Sequence, residues 1–209
     1  MESSKYLNDI AEIKKMMSHS SRFLSLSGLS GILAGVYALI AAFMAHQKLG
    51  GFEKSQNAMS RFLYSVDIVG DLILIGLITL ILAITTALIL TLKKTRKTGE
   101  KIWTPISRRL IGSFAIPFVA GGFFCFVLLQ NEIVGLVAPA TLIFYGLALI
   151  NASKYTLGDI KYLGLVNVIL GLVATQFIGY GLYFWALGFG VSHIIYGAIM
   201  YNKYDRRAN

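Results

Sequence analysis

Between Phe23 and Tyr201 apolar residues run in long blocks, and the short segments between the blocks hold nearly all the lysine and arginine. A hydrocarbon core ~30 Å thick takes roughly 17–25 helical residues per crossing. Six blocks reach that length: Phe23–Ala45, Ile68–Leu92, Leu110–Gln130, Ile133–Ile150, Ile160–Ile178 and Leu182–Tyr201. The last two almost fuse and are divided at Gly179-Tyr180-Gly181, because a single helix of about 40 residues would run roughly 60 Å. Barrel strands alternate apolar and polar positions over ~10 residues, and these blocks do not. The pattern predicts an all-α fold, a polytopic helical bundle with six transmembrane helices.

Ahead of the first block, residues 3–18 place Tyr6, Ile10, Ile13 and Met17 on one helical face, with Glu12, Lys14 and Lys15 elsewhere. The reading is a short amphipathic helix lying along the inner headgroup layer. The first block exceeds the 7–15 residues or so of a secretory h-region, so it is not read as a cleaved signal. The expected organisation is a cytoplasmic amphipathic segment over 1–22, a transmembrane domain over 23–201 and a cytoplasmic tail over 202–209.

Charge sets the orientation. With six crossings both termini share a side, which collects sixteen of the 19 basic residues and leaves Lys48, Lys54 and Arg61 opposite. Cytoplasmic loops carry the excess of lysine and arginine, so both ends are expected in the cytosol, at a plasma (inner) membrane. Composition agrees: 56% of residues are hydrophobic and 14% charged, against about 25% charged in a soluble domain. The net charge of +9 would suggest nucleic acid in a soluble protein. Here it points to anionic headgroups, contacted by Lys93, Lys94, Arg96, Lys97, Lys101, Arg108 and Arg109. Cys125 stands alone within a block, which excludes an intramolecular disulfide.

Helices in lipid pack where small residues let backbones approach. The first span has Ser27, Gly31 and Gly35 at four-residue intervals; the fifth has Gly164, Asn167, Gly171 and Ala174 on one face; the sixth has Ala186, Gly190, His193 and Gly197. These three are expected to form the inner seam. Pro117 and Pro139 remove amide donors and leave the Ser113 and Gly135 carbonyls unpaired, so kinks are expected. Thr104-Pro105 reads as a helix cap followed by a first-turn proline, beside an interfacial Trp103.

Ionisable groups within or at the lip of a span are the candidates for chemistry. Asp67 and Asp71 lie one turn apart at the outer end of the second span. Asp67 fits a helix amino terminus; Asp71, a turn deeper, is expected to pair with Arg61 or Lys54, to meet Gln176, or to bind a cation. His193 is mid-span. A hairpin centred on Tyr180 sets residue 193 opposite 167, predicting an Asn167–His193 hydrogen bond that acts as interhelical glue. The alternative is a proton relay.

Gly28-Leu29-Ser30-Gly31 is similar to the Gly-x-Ser-Gly of rhomboid intramembrane proteases, which also have six core helices and a histidine on the sixth. This chain carries the serine on its first span rather than its fourth. Its second span lacks the family's His-x-x-x-Asn, and no Trp-Arg follows the first. An intramembrane serine protease is therefore a remote alternative. No metal-ligand spacing and no phosphate- or dinucleotide-binding fingerprint occurs, so no metal or cofactor is expected. The expected function is that of a non-enzymatic accessory or structural membrane protein. Its partners are the bilayer and either a second copy or another membrane protein, with no nucleic acid. The alternative is a small-solute or proton transporter or channel using Asp71 and His193.

Overall fold

The computed structural model describes residues 27–53, 58–99 and 102–205. The expected amino-terminal amphipathic helix, with Lys54, Lys101 and the tail from 206 onward, lies outside them. Among the described residues the chain is predominantly helical and contains no strand. We label the helices α1 (Gly28–Glu53), α2 (Ala58–Thr98), α3 (Pro105–Gln130), α4 (Val137–Ala152, entered through a 3-10 turn at Val134–Leu136), α5 (Ile160–Ala174) and α6 (181–205). Helix α6 is α-helical over Gly181–Trp185 and Ser192–Met200, and widens to π geometry over Ala186–Val191 and Tyr201–Asp205.

Among the described residues five stretches are long and apolar enough to cross a membrane: Gly28–Leu49, Asp67–Lys97, Pro105–Gln130, Val134–Ala152 and Gly181–Asp205. Helix α5, expected over Ile160–Ile178, has 15 residues, about 22 Å of rise. It stops because the chain tightens after Ala174. The amides of Gln176 and Phe177 bond three residues back, to Val173 and Ala174, and Gly179 then takes a φ of 101°. A side chain is strained at that φ and glycine is not, so the turn falls where Gly179 sits.

The helices pack in the spatial order α2, α1, α6, then α4 with α5, then α3, and α6 touches both halves. Two glycine seams hold this arrangement. Across α1 and α6, a methyl group on Gly28 would collide with the backbone of Tyr201, and one on Gly197 with the backbone of Ile32 and Gly28. Gly35 presses on the Gly190 carbonyl in the same way. Across α4 and α5, Gly146 and Gly164 face each other's carbonyls, and Gly171 abuts Pro139. The glycines of the fifth span therefore seal against the fourth, and the fifth meets the sixth around Gly188, rather than forming one seam with the first and sixth as the small-residue stripes implied. Gly146, absent from those stripes, is its counterpart.

The two prolines behave differently. Pro117 lies inside α3, and the Ser113 carbonyl it leaves unpaired accepts a hydrogen bond from Asn151 Nδ2 of α4 at 2.8 Å. Pro139 falls in the first turn of α4 because regular helix begins only at Val137, and an N–H there has no intrahelical acceptor to lose. The cap ahead of α3 forms as expected. Thr104 Oγ1 accepts from the Ser107 amide at 3.1 Å, Ser107 Oγ accepts from the Thr104 amide at 2.8 Å, and Trp103 is exposed beside them.

Candidate functional site

Polar side chains gather at three levels along the bundle. At the end where α1 begins and α2 and α6 finish, Asp205 is the hub. Its Oδ2 accepts from the Gly28 amide at 2.8 Å and from Ser27 Oγ at 3.2 Å, and its Oδ1 pairs with Lys94 Nζ at 2.7 Å. The π turn at Tyr201–Asp205 aims the preceding residues the other way: Lys203 Nζ and the Tyr204 hydroxyl both reach Asp159 Oδ2, at 2.6 and 3.1 Å. Asp159 precedes α5. One five-residue turn thus ties α6 to α1 and α2 on one side and to α5 on the other.

The middle level surrounds His193, which is 6% exposed. Its Nδ1 lies 2.9 Å from the Gly188 carbonyl and its Nε2 2.7 Å from the Tyr145 hydroxyl. A carbonyl can only accept, so Nδ1 carries the proton, and in the neutral ring Nε2 accepts from Tyr145. The Phe189 and Tyr145 rings lie against the imidazole with centroids 5.9 and 5.4 Å away. Both ring nitrogens are thereby engaged, and the bond to Tyr145 fastens α6 to α4.

The expected Asn167–His193 bond does not form. Asn167 Nδ2 donates to the Leu163 carbonyl of its own helix at 2.9 Å, and its Oδ1 is buried with no hydrogen-bond partner. That oxygen lies against Gly188, where an added Cβ would sit 2.7 Å from it. Asn167 and His193 converge on Gly188 from two sides, not on each other. The cause is the early end of α5: the turn pivots near Phe177 instead of Tyr180, which sets residue 167 opposite residue 188. Tyr196, one turn from His193 toward the Asp205 end, has a buried hydroxyl without a partner, and its ionisable neighbours are Asp159, Tyr204 and Tyr145.

At the third level, Asp71 pairs with Lys48 Nζ at 2.7 Å, the two side chains being 40% and 55% exposed. The expected partners of Asp71 were Arg61, Lys54 or Gln176. The side chains of Arg61 and Lys54 lie outside the described residues; Lys48 reaches Asp71 because α1 stays helical past the predicted end at Ala45. Asp67 is exposed, and Gln176 is exposed and contacts Thr175. The five expected polar residues therefore do not line one site. Asp67, Asp71 and Gln176 lie toward the end opposite Asp205, and Asn167 and His193 lie in the interior.

Of the expected headgroup contacts, Lys93, Arg96, Lys97, Arg108 and Arg109 are exposed, whereas Lys94 turns inward to Asp205. Ser30, within the rhomboid-like tetrapeptide, donates to the Ser27 carbonyl at 2.6 Å, and both nitrogens of His193 are engaged elsewhere. Sequence reasoning missed Tyr145, Gly188, Asp159 and Asp205. Asp205 had a visible signal, a lone carboxylate among the basic residues of the tail. No protein-family model, curated protein or solved structure matches this chain.

Proposed function

We propose that the chain is a six-span protein of the plasma (inner) membrane with both tails in the cytosol. On this reading it works as a non-enzymatic structural or accessory component through contacts with lipid and with other membrane proteins. One observation carries the reading: the intramembrane hydrogen bonds join helices in separate pairs and do not face a common passage. Tyr145–His193 joins α4 to α6, Asn151–Ser113 joins α4 to α3, and Tyr37–Thr86 joins α1 to α2 at 3.3 Å. Groups used this way hold a bundle together, and among the described residues they line no continuous polar route.

Geometry supports the six crossings. Gly28 and Lys48, at the two ion-paired levels of α1, are about twenty residues and so about 30 Å apart, the thickness of a hydrocarbon core. Helix α5 is short, yet it packs antiparallel to α4 from Asp159 at the Asp205 level to Gly171 beside Pro139, and the turn after Ala174 completes the traverse. Orientation rests on the cations. Lys93, Lys94, Arg96, Lys97, Arg108, Arg109, Lys154, Lys161 and Lys203 share the Asp205 end, and the positive-inside rule assigns that end to the cytosol. Partner contact is supported by α2, whose most apolar window has none of its residues buried and which packs chiefly on α1.

Reporters fused after Asn209 and inserted between Glu53 and Ala58 test the topology: the first is expected in the cytosol and the second outside. Reconstituted vesicles test the activity. No flux of protons or small solutes is expected, with or without His193→Ala or Asp71→Asn. A flux that either substitution abolishes establishes the transporter reading, which the unpartnered Tyr196 hydroxyl, with Asp159 and Tyr145 among its ionisable neighbours, favours.

A further inference from the structure

Helices α1 and α2 enclose a groove whose ends are closed by polar rungs and whose wall is apolar. Its volume is about 170 Å³, and Tyr37, Ala41, Met44, Ile75, Ile78 and Leu82 line it. On α1, residues 37, 41, 44 and 48 share a face; on α2, residues 71, 75, 78 and 82 do, with Thr86 a turn further. The hydrogen bond between the Tyr37 and Thr86 hydroxyls closes the deep end, and the Lys48–Asp71 ion pair stands over the other. From residue 37 to residue 48 the rise is about 16 Å. Two hydroxyls lie along the wall, and both are engaged: Tyr37 with Thr86, and Thr79 with the Ile75 carbonyl at 2.7 Å. The groove therefore offers apolar surface alone, while Met44, 51% exposed, opens it sideways toward lipid.

We infer that this groove seats one acyl chain of a phospholipid whose headgroup is a primary-amine zwitterion, with the phosphate on Lys48 and the ammonium on Asp71. Charge complementarity selects the headgroup. An adjacent cation and anion match a headgroup that carries both signs, and an ammonium donates hydrogen bonds to a carboxylate whereas a quaternary amine cannot. A purely anionic headgroup gains Lys48 but meets Asp71, with Asp67 one turn beyond it. Depth agrees, because the ion pair lies one hydrocarbon thickness from the Asp205 level. The inference depends on membrane residence and not on which side the tails face, so its failure leaves the topology reading intact.

The test is retention of lipid by the purified full chain, counted by native mass spectrometry after exposure to equal amounts of phosphatidylethanolamine, phosphatidylcholine and phosphatidylglycerol. One phosphatidylethanolamine per chain is expected to survive in preference to the other two. Lys48→Gln and Asp71→Asn each lower its retention about tenfold, the effect of losing one charge-assisted hydrogen bond. Thr79→Phe, which fills the groove from the lipid side without touching the ion pair, abolishes it. Equal retention of the three lipids, preference for phosphatidylglycerol, or unchanged retention in Thr79→Phe overturns the proposal. So does a dimer that Thr79→Phe dissociates, since a second copy then occupies the groove.

Discussion

The carboxylate of Asp205, at the end of α6, accepts the backbone N–H of Gly28, the first residue of α1, at 2.8 Å. A helix amino terminus leaves amides without intrahelical acceptors, and a nearby side chain normally caps them. Here the cap comes from the far end of the chain, and Lys94 balances its charge.

Asp205→Ala removes the cap and the ion pair with the half-buried Lys94. The expected loss is about 2–3 kcal/mol, read from unfolding of the purified chain in mixed micelles. Lys94→Met is expected to cost less, and the double substitution less than the sum of the two, because the pair shares one interaction. Strict additivity refutes the Asp205–Lys94 coupling.

The glycine seams make a second prediction that separates packing from propensity. A methyl group at Gly164 meets the Gly146 carbonyl and the Ile150 backbone, whereas at Gly76 nothing stands within 4 Å. Gly164→Ala is expected to destabilise by about 1–3 kcal/mol through overpacking. Gly76→Ala is expected to stabilise by about 0.5–1 kcal/mol, the ordinary gain of alanine over glycine within a helix. Equal effects at the two sites, by the same unfolding measurement, contradict the α4–α5 seam.

Around His193 the two tyrosines are expected to respond oppositely. Tyr145→Phe strips His193 Nε2 of its donor and breaks the α4–α6 tie, a loss of about 0.6–1.7 kcal/mol on the scale of intramembrane hydrogen bonds. Tyr196→Phe removes a buried hydroxyl that has no partner, so it is expected to be neutral or to stabilise by about 1 kcal/mol. A large loss at Tyr196 means that its hydroxyl holds a bound water or proton, and returns the relay reading to the front.

Features written within a few residues of one another were legible in the sequence. The helix cap at Thr104-Pro105, the positions of the apolar helices and the concentration of cations in one set of loops all follow from local pattern. Pairings were not. The stripe on α5 announced a tight seam but pointed to the first and sixth spans instead of the fourth, because rotation about a helix axis is settled by neighbours. Asn167 faces Gly188 instead of His193 because a turn placed three residues early moves every register beyond it. Asp71 found Lys48 because α1 runs past the point where its hydropathy falls, and a helix does not stop merely because it becomes polar.

Pro117 and Asn151 provide the sharpest single test of the packing, since one creates the need that the other fills. The proline ring removes the amide that would have served Ser113, and Asn151 Nδ2 reaches that carbonyl from α4 at 2.8 Å. Asn151→Leu therefore leaves a carbonyl unpaired, at an expected cost of about 1–3 kcal/mol. In a Pro117→Ala background the backbone amide is restored and can serve Ser113 itself, so the same Asn151→Leu is expected to cost much less. The coupling between the two positions, measured as a double-mutant cycle in micelles, should reach about 1 kcal/mol. A cycle that closes to zero means that Asn151 and Ser113 are mere neighbours, and that α3 is held against α4 by apolar contact alone.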